Sequence, residues 1–138
     1  MSQQSIGYLL WDVSRLVRKR YQEEEGLIGI TLCQGKALAQ IDRNQGIRQV
    51  ELAELLEIKP MTLVRTIDSL VEEGLVERRR DPNDRRAHQI FLTPEARPQL
   101  EQLRAVSDEV WSGILEGIPD KDIEQFMSTL KRIHKNLA

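Results

Sequence analysis

The chain has 138 residues, 40% of them hydrophobic, with 20 Lys and Arg against 22 Asp and Glu and a formal net charge of −2. That length suits one domain, or one domain with helical extensions, whose core needs neither disulfides nor metals. The charge balance excludes a general polycation that coats nucleic acid. No apolar run reaches the ~18 residues of a membrane helix, the N-terminus lacks the charged-then-apolar order of a signal peptide, and the single cysteine suits a reducing compartment, so a cytoplasmic protein is expected.

From Ile6 to about Tyr21, Leu9, Leu10, Val13, Leu16, Val17 and Tyr21 recur with helical period, with Arg15, Arg18 and Lys19 off the stripe. Gly26 and Gly29 break this helix. Thr31 to Gln34 reads as a capping box that opens a second helix, running to about Arg43 and burying Cys33, Ala37, Leu38 and Ile41. Asn44-Gln45-Gly46 closes it. A third helix runs from about Gln49 to Leu56 with Leu52, Ala53 and Leu56 inward; Arg48 is a poor N-cap, although Glu51 complements the dipole. Only Glu57-Ile58-Lys59 separate it from the next helix, so the pair forms a helix-turn-helix.

That next helix is framed by punctuation. Pro60 suits its first position, Lys59 before the proline is pushed out of helical geometry, and Gly74 can close the end with Leu75 packing back on Leu70. Leu63, Val64, Ile67, Leu70 and Val71 fall on one side, and Thr62, Arg65, Thr66 and Ser69 on the other. Short hydroxyls with one arginine fit a DNA major groove, where arginine reads guanine. A merely solvated face is the alternative, though such faces favour Glu and Lys.

After Gly74 the pattern becomes a hairpin. Val76 leads into RRRDPNDRR, Arg78 to Arg86, which holds five arginines against two aspartates, while the flanking segments 1–58 and 94–138 are each slightly acidic. Asp81-Pro82-Asn83-Asp84 is turn chemistry, and the return strand alternates His88, Ile90, Leu92 with Ala87, Gln89, Phe91. The tip carries Arg85 and Arg86, which suit a narrow minor groove; the alternative is an arginine-rich edge that only discourages strand aggregation. Thr93 is expected to cap a long helix to about Glu116, with Pro94 first and Pro98 bending or delaying it. Leu100, Leu103, Val106, Val110, Trp111 and Ile114 line it. A last helix after Pro119-Asp120 shows Ile123, Phe126, Met127, Leu130, Ile133 and Leu137. The centre does not need all these stripes, so both chain ends are expected to pack on a second copy; an intramolecular bundle is the alternative.

Catalytic chemistry finds no support. No nucleophile–base arrangement, phosphate-binding glycine loop or paired-acid motif occurs, and His88 and His134 have no metal spacing around them, so neither enzymatic activity nor a cofactor or metal is expected. Cys33 sits near a helix N-terminus, where its thiol could be activated, but its inward position favours a buried structural role.

The run DRRAHQIFLT, Asp84 to Thr93, resembles the wing signature of the MarR family of bacterial transcriptional regulators, and LVRTIDSLVEEGLVER resembles that family's recognition helix and its exit into the wing. LVRT, DRRA and the early proline of the long helix are most similar to the SlyA-like branch. The resemblance covers essentially the whole chain as one domain: a mainly α winged helix-turn-helix lobe at about 31–93, with a small β-hairpin, flanked by dimerisation helices at about 5–25 and 94–138. It implies a homodimer on double-stranded operator DNA, with Pro60, Thr62, Arg65, Thr66 and Ser69 toward the major groove and Arg78, Arg85 and Arg86 also on DNA. Arg86 holds the signature arginine position, and Asp84 would orient the wing tip through an arginine. Arg48 departs from the usual Ser or Thr cap. Many members are released by small aromatic acids, and Trp11, Arg15, Thr31 and Arg65 would line such a crevice; that these four only pack or face solvent is the alternative. Two rival readings remain, a winged-helix module for an acidic protein partner and a redox-sensing regulator acting through Cys33.

Overall fold

The computed structural model describes residues 3–24 and 29–138, so Gly26, expected to help break the first helix, lies outside the described residues. In chain order the elements are α1 (Gln3–Glu23), α2 (Leu32–Arg43), β1 (Ile47–Arg48), α3 (Gln49–Leu56), α4 (Pro60–Glu72), β2 (Val76–Asp81), β3 (Asp84–Leu92), α5 (Ala96–Ile114) and α6 (Asp120–Leu137). The chain divides into two compact units, Met1–Val106 and Ser107–Ala138. The division falls inside α5, whose Ala96 and Leu100 belong to the core of the first unit.

Local signals explain most boundaries. The capping box forms as expected: Thr31 Oγ1 accepts from the Gln34 N–H at 3.1 Å, and Gln34 Oε1 accepts from the Thr31 N–H at 2.9 Å. α4 begins at Pro60, whose missing N–H has no intrahelical partner at that position. It ends where Gly74, at φ +76°, lets the Leu75 N–H donate to the Leu70 carbonyl at 2.9 Å.

α2, α3 and α4 pack on one another and on the sheet, burying Leu38, Ile41, Leu52, Leu63, Ile67, Leu70 and Ile90 completely. The sheet is antiparallel with strand order β1-β3-β2, Ile47 opposite Ile90 and Val76 opposite Leu92. Its third strand was not expected, since two residues are too short for alternation to register. Gly46 sets that strand. At φ +87° its N–H donates to the Ile90 carbonyl at 2.9 Å, and a Cβ there would lie 3.2 Å from Phe91 Cζ.

The start of α5 differs from expectation. Thr93 does not cap it; its hydroxyl donates to the Gly74 carbonyl at 2.5 Å, closing the sheet back onto the end of α4. The helix begins at Ala96, which leaves Pro98 in the first turn, where a proline removes no intrahelical bond. It ends at Ile114 rather than Glu116. Asp42 of α2 accepts from Arg97 and Arg104, each at 3.2 Å, and ties α5 to the first unit's core.

On α1, Ile6, Leu9, Leu10, Val13 and Leu16 are exposed; on α6 no residue is buried, and Phe126, Met127, Ile133 and Leu137 face outward. Among the described residues, no helix is long and apolar enough to cross a membrane. Gly46→Ala is expected to lower stability by about 1–3 kcal/mol, because it combines left-handed backbone with the Phe91 contact. A urea midpoint shifted down at unchanged slope will register it.

Candidate nucleic-acid interface

The helix-turn-helix is made by an αL residue. Glu57 takes φ 54°, ψ 42° after α3, and the Ile58 N–H returns to the Ala53 carbonyl at 3.1 Å, turning the chain into Lys59 and α4. Side-chain periodicity gives no sign that a glutamate would adopt this conformation. α4 then buries Leu63, Ile67 and Leu70, while Val64 and Val71, expected on the inward side, are 36% and 39% exposed.

The buried arc is therefore rotated toward Thr66 and Ser69, both half-buried. Thr66 does not point freely outward. Its hydroxyl donates to the Thr62 carbonyl at 3.0 Å and lies 3.5 Å from Cys33 Sγ on α2. Pro60, Thr62 and Arg65 are exposed as expected. So is Met61, at 71%, one turn before Arg65 on the same meridian and not singled out by sequence.

The arginines of the hairpin separate into two groups. Arg78 is committed inward: Nε donates to Gln49 Oε1 at 2.9 Å, one guanidinium N–H donates to the Val64 carbonyl at 3.2 Å, and another nitrogen is 2.6 Å from Asp68 Oδ1. It fastens β2 to α3 and α4. Arg79 pairs with Glu77 and stacks 4.0 Å over the Phe91 ring. By contrast Arg65, Arg80, Arg85 and Arg86 are exposed, and their guanidinium groups have no partner among the described residues. Arg80 is an addition that the sequence pattern did not separate from its neighbours.

Asp84 accepts from the Arg86 backbone N–H at 2.9 Å, a local turn bond, and the arginine–carboxylate contact falls on Asp81. Asp81 is 5% exposed; one oxygen accepts from the Asn83 N–H at 2.8 Å and the other from Arg48 Nε at 2.8 Å. The Asn83 N–H holds the Asp81 carboxyl below its ordinary value and the Arg48 guanidinium adds to this, while burial pushes the other way. Arg48 makes no side-chain cap to α3. Its side chain crosses to the wing instead.

A cleft of about 320 Å³ opens beside α4's turn, lined by Gln22, Thr31, Leu32, Cys33, Lys36, Leu56 and Ile58. Of the four crevice residues expected from sequence, Thr31 lines it. Trp11 is exposed and leans on Tyr8 with ring centroids 6.3 Å apart, Arg15 pairs with Asp12 at 2.9 Å, and Arg65 is on the outward side of α4. Cys33 is half-buried on the cleft wall, not a fully buried thiol.

Two helices joined by a tight turn, then a hairpin that completes a three-stranded sheet, define a winged helix-turn-helix protein. The chain belongs to the MarR family, whose model matches residues 30–88. A MarR-family transcriptional regulator from Rhodococcus sp. RHA1 is 30% identical, with 96% of each chain covered and a TM-score of 0.82. A MarR transcriptional regulator from Methanosarcina mazei Go1 is 26% identical, covering 97% of this chain and 96% of its own, with a TM-score of 0.85. A mutant MarR from E. coli complexed with operator DNA is 27% identical over 94% of this chain and 93% of its own, with a TM-score of 0.75.

The two groups of arginines should separate in stability. Arg78→Ala is expected to cost about 1–2 kcal/mol of unfolding free energy, and Arg85→Ala to stay within about 0.5 kcal/mol of the parent, both read by urea titration. For Asp81, a folded value below the unfolded one means its stabilisation is complete above the ordinary carboxylate value, about 3.9. It is lost as pH falls through the folded value. The stability gap between parent and Asp81→Asn should thus be constant above about pH 5 and narrow as pH falls further; a gap that does not change with pH, or widens on acidification, contradicts this.

Proposed function

We propose that the protein is a homodimeric, sequence-specific DNA-binding transcriptional regulator. The observation that carries this reading is the pairing, within one unit, of an outward α4 face bearing Thr62 and Arg65 with a wing tip whose Arg85 and Arg86 have no side-chain partner among the described residues. Cations left unpaired in a chain of net charge −2 suit a local polyanion contact. α4 would enter the major groove, with Pro60, Thr62 and Arg65 foremost and Thr66 and Ser69 at its margin. Arg85 and Arg86 would enter the minor groove, and Arg78 would support both from within.

The uncovered stripes of α1 and α6 support a second copy of the chain as partner, since apolar rows of that length are costly to leave in water. Two-fold symmetry would then match a pseudo-palindromic operator with half-sites about one helical turn apart. A small aromatic carboxylate is the proposed effector. The cleft offers Lys36 as a cation, with Leu32, Leu56 and Ile58 as apolar walls, and Cys33 against Thr66 connects its wall to α4.

Arg86→Ala is expected to weaken operator binding at least about tenfold in a mobility-shift titration at fixed salt, with the dimer intact by light scattering. The parent's affinity should fall with salt at a log–log slope of about −0.9 per phosphate contact, and the variant's slope should be shallower. Unchanged affinity and slope would remove the wing from the interface. A protein that retains an acidic protein partner but no palindromic fragment in competitor DNA would support the protein-interaction reading instead.

A further inference from the structure

Arg48 occupies the N-cap position of α3 with backbone suited to a cap, φ −70° and ψ 144°, yet its side chain makes no cap bond. As part of β1 it lies opposite Gln89 of β3, and from there it reaches along the sheet to the end of β2. Its target, Asp81, marks a discontinuity. The β2–β3 register shifts between Arg80 and Asp81, after which Asp81 stands opposite Asp84. At that irregular point the ladder alone holds the hairpin weakly, and bulges increase local twist.

The Asp81 carboxylate bridges this point. One oxygen holds the Asn83 N–H of the wing turn and the other holds Arg48, both at 2.8 Å. Through Arg48, the turn is tied to the start of α3, and Glu51 in α3's first turn lies 4.0 Å from the same Nε. Arg85 and Arg86 follow the turn directly. A charge-assisted bond to a side chain only 3% exposed is shorter and stiffer than a surface ion pair.

From this geometry we infer that Arg48 and Asp81 are positioning residues for DNA recognition, an ion pair that holds the wing arginines at a fixed offset from α4 so that both grooves are engaged together. The inference rests on the DNA-binding reading above. Neither side chain needs to touch DNA. Breaking the pair lets the hairpin swing at its register shift, which removes minor-groove readout and leaves α4 in place on the core through Leu63, Ile67 and Leu70. Asp81→Asn is tolerable to the fold, because the Arg48 side chain is 43% exposed and water can take over its charge, and the amide keeps an acceptor for the Asn83 N–H; in Arg48→Ala the Asp81 carboxylate still accepts that N–H.

The test uses the full-length dimer and the tightest genomic fragment it selects. Arg48→Ala, Asp81→Asn and the double variant are compared with the parent on three versions of the wing contacts: A·T, G·C, and inosine·C, which presents the A·T minor groove on a G·C-like major groove. The parent is expected to lose about tenfold in affinity on G·C and to recover on inosine·C. Each single variant and the double variant should show the same small ratio, within about twofold. Their loss from a base change under α4 should stay equal to the parent's. Arg48→Lys should restore part of the minor-groove ratio, since an ammonium can still reach the carboxylate. The inference is overturned if the single variants keep the parent's minor-groove ratio. It is also overturned if both grooves lose discrimination in equal proportion, or if the two single effects add in the double variant. A parent that selects no DNA fragment overturns the DNA-binding reading itself, and the role of the pair with it.

Discussion

Everything in the interface depends on the burial of Leu63, Ile67 and Leu70, three fully enclosed side chains on one side of α4. At roughly 1.5–3 kcal/mol for each large apolar side chain removed from water, this contact outweighs any single polar bond nearby. It sets the rotation of the helix about its own axis. Because α2 also closes on Thr66, the buried arc turns away from Val64 and Val71, and Met61 and Arg65 come to the outward meridian. The chemistry offered to a partner is decided by packing before any partner is present.

The second organising feature is the partition of arginine between frame and surface. Arg48 and Arg78 neutralise Asp81 and Asp68 and fasten strands to helices, so the sheet and the helix-turn-helix form one body. Arg79 is held by Glu77 and the Phe91 ring. Arg65 on α4 and Arg80, Arg85 and Arg86 on the hairpin are exposed and have no side-chain partner among the described residues. This division lets a chain with more acids than bases present a positive tip.

The chain ends carry a different logic. α1 in the first unit and α6 in the second are amphipathic, and each carries exposed apolar residues. Exposed apolar rows suit association, and they are the observation behind the second copy proposed above.

Much of this was determined by local sequence. Helical periodicity placed α2, α3 and α4; Pro60, Gly74 and the Thr31–Gln34 box fixed their ends; and Asp81-Pro82-Asn83-Asp84 located the hairpin turn, because each of these signals acts within a few residues of itself. The wing run even carried the family. What only the tertiary structure decided are the contacts between distant positions. Arg48 meets Asp81 33 residues away, Arg78 meets Gln49 29 residues away, and Thr93 turns from a helix cap to the Gly74 carbonyl. Five arginines in one run are alike in sequence, and periodicity says nothing about which of them finds a carboxylate across the fold. That choice depends on how three helices and three strands pack, and it separates the arginines that hold the wing from those that reach beyond it.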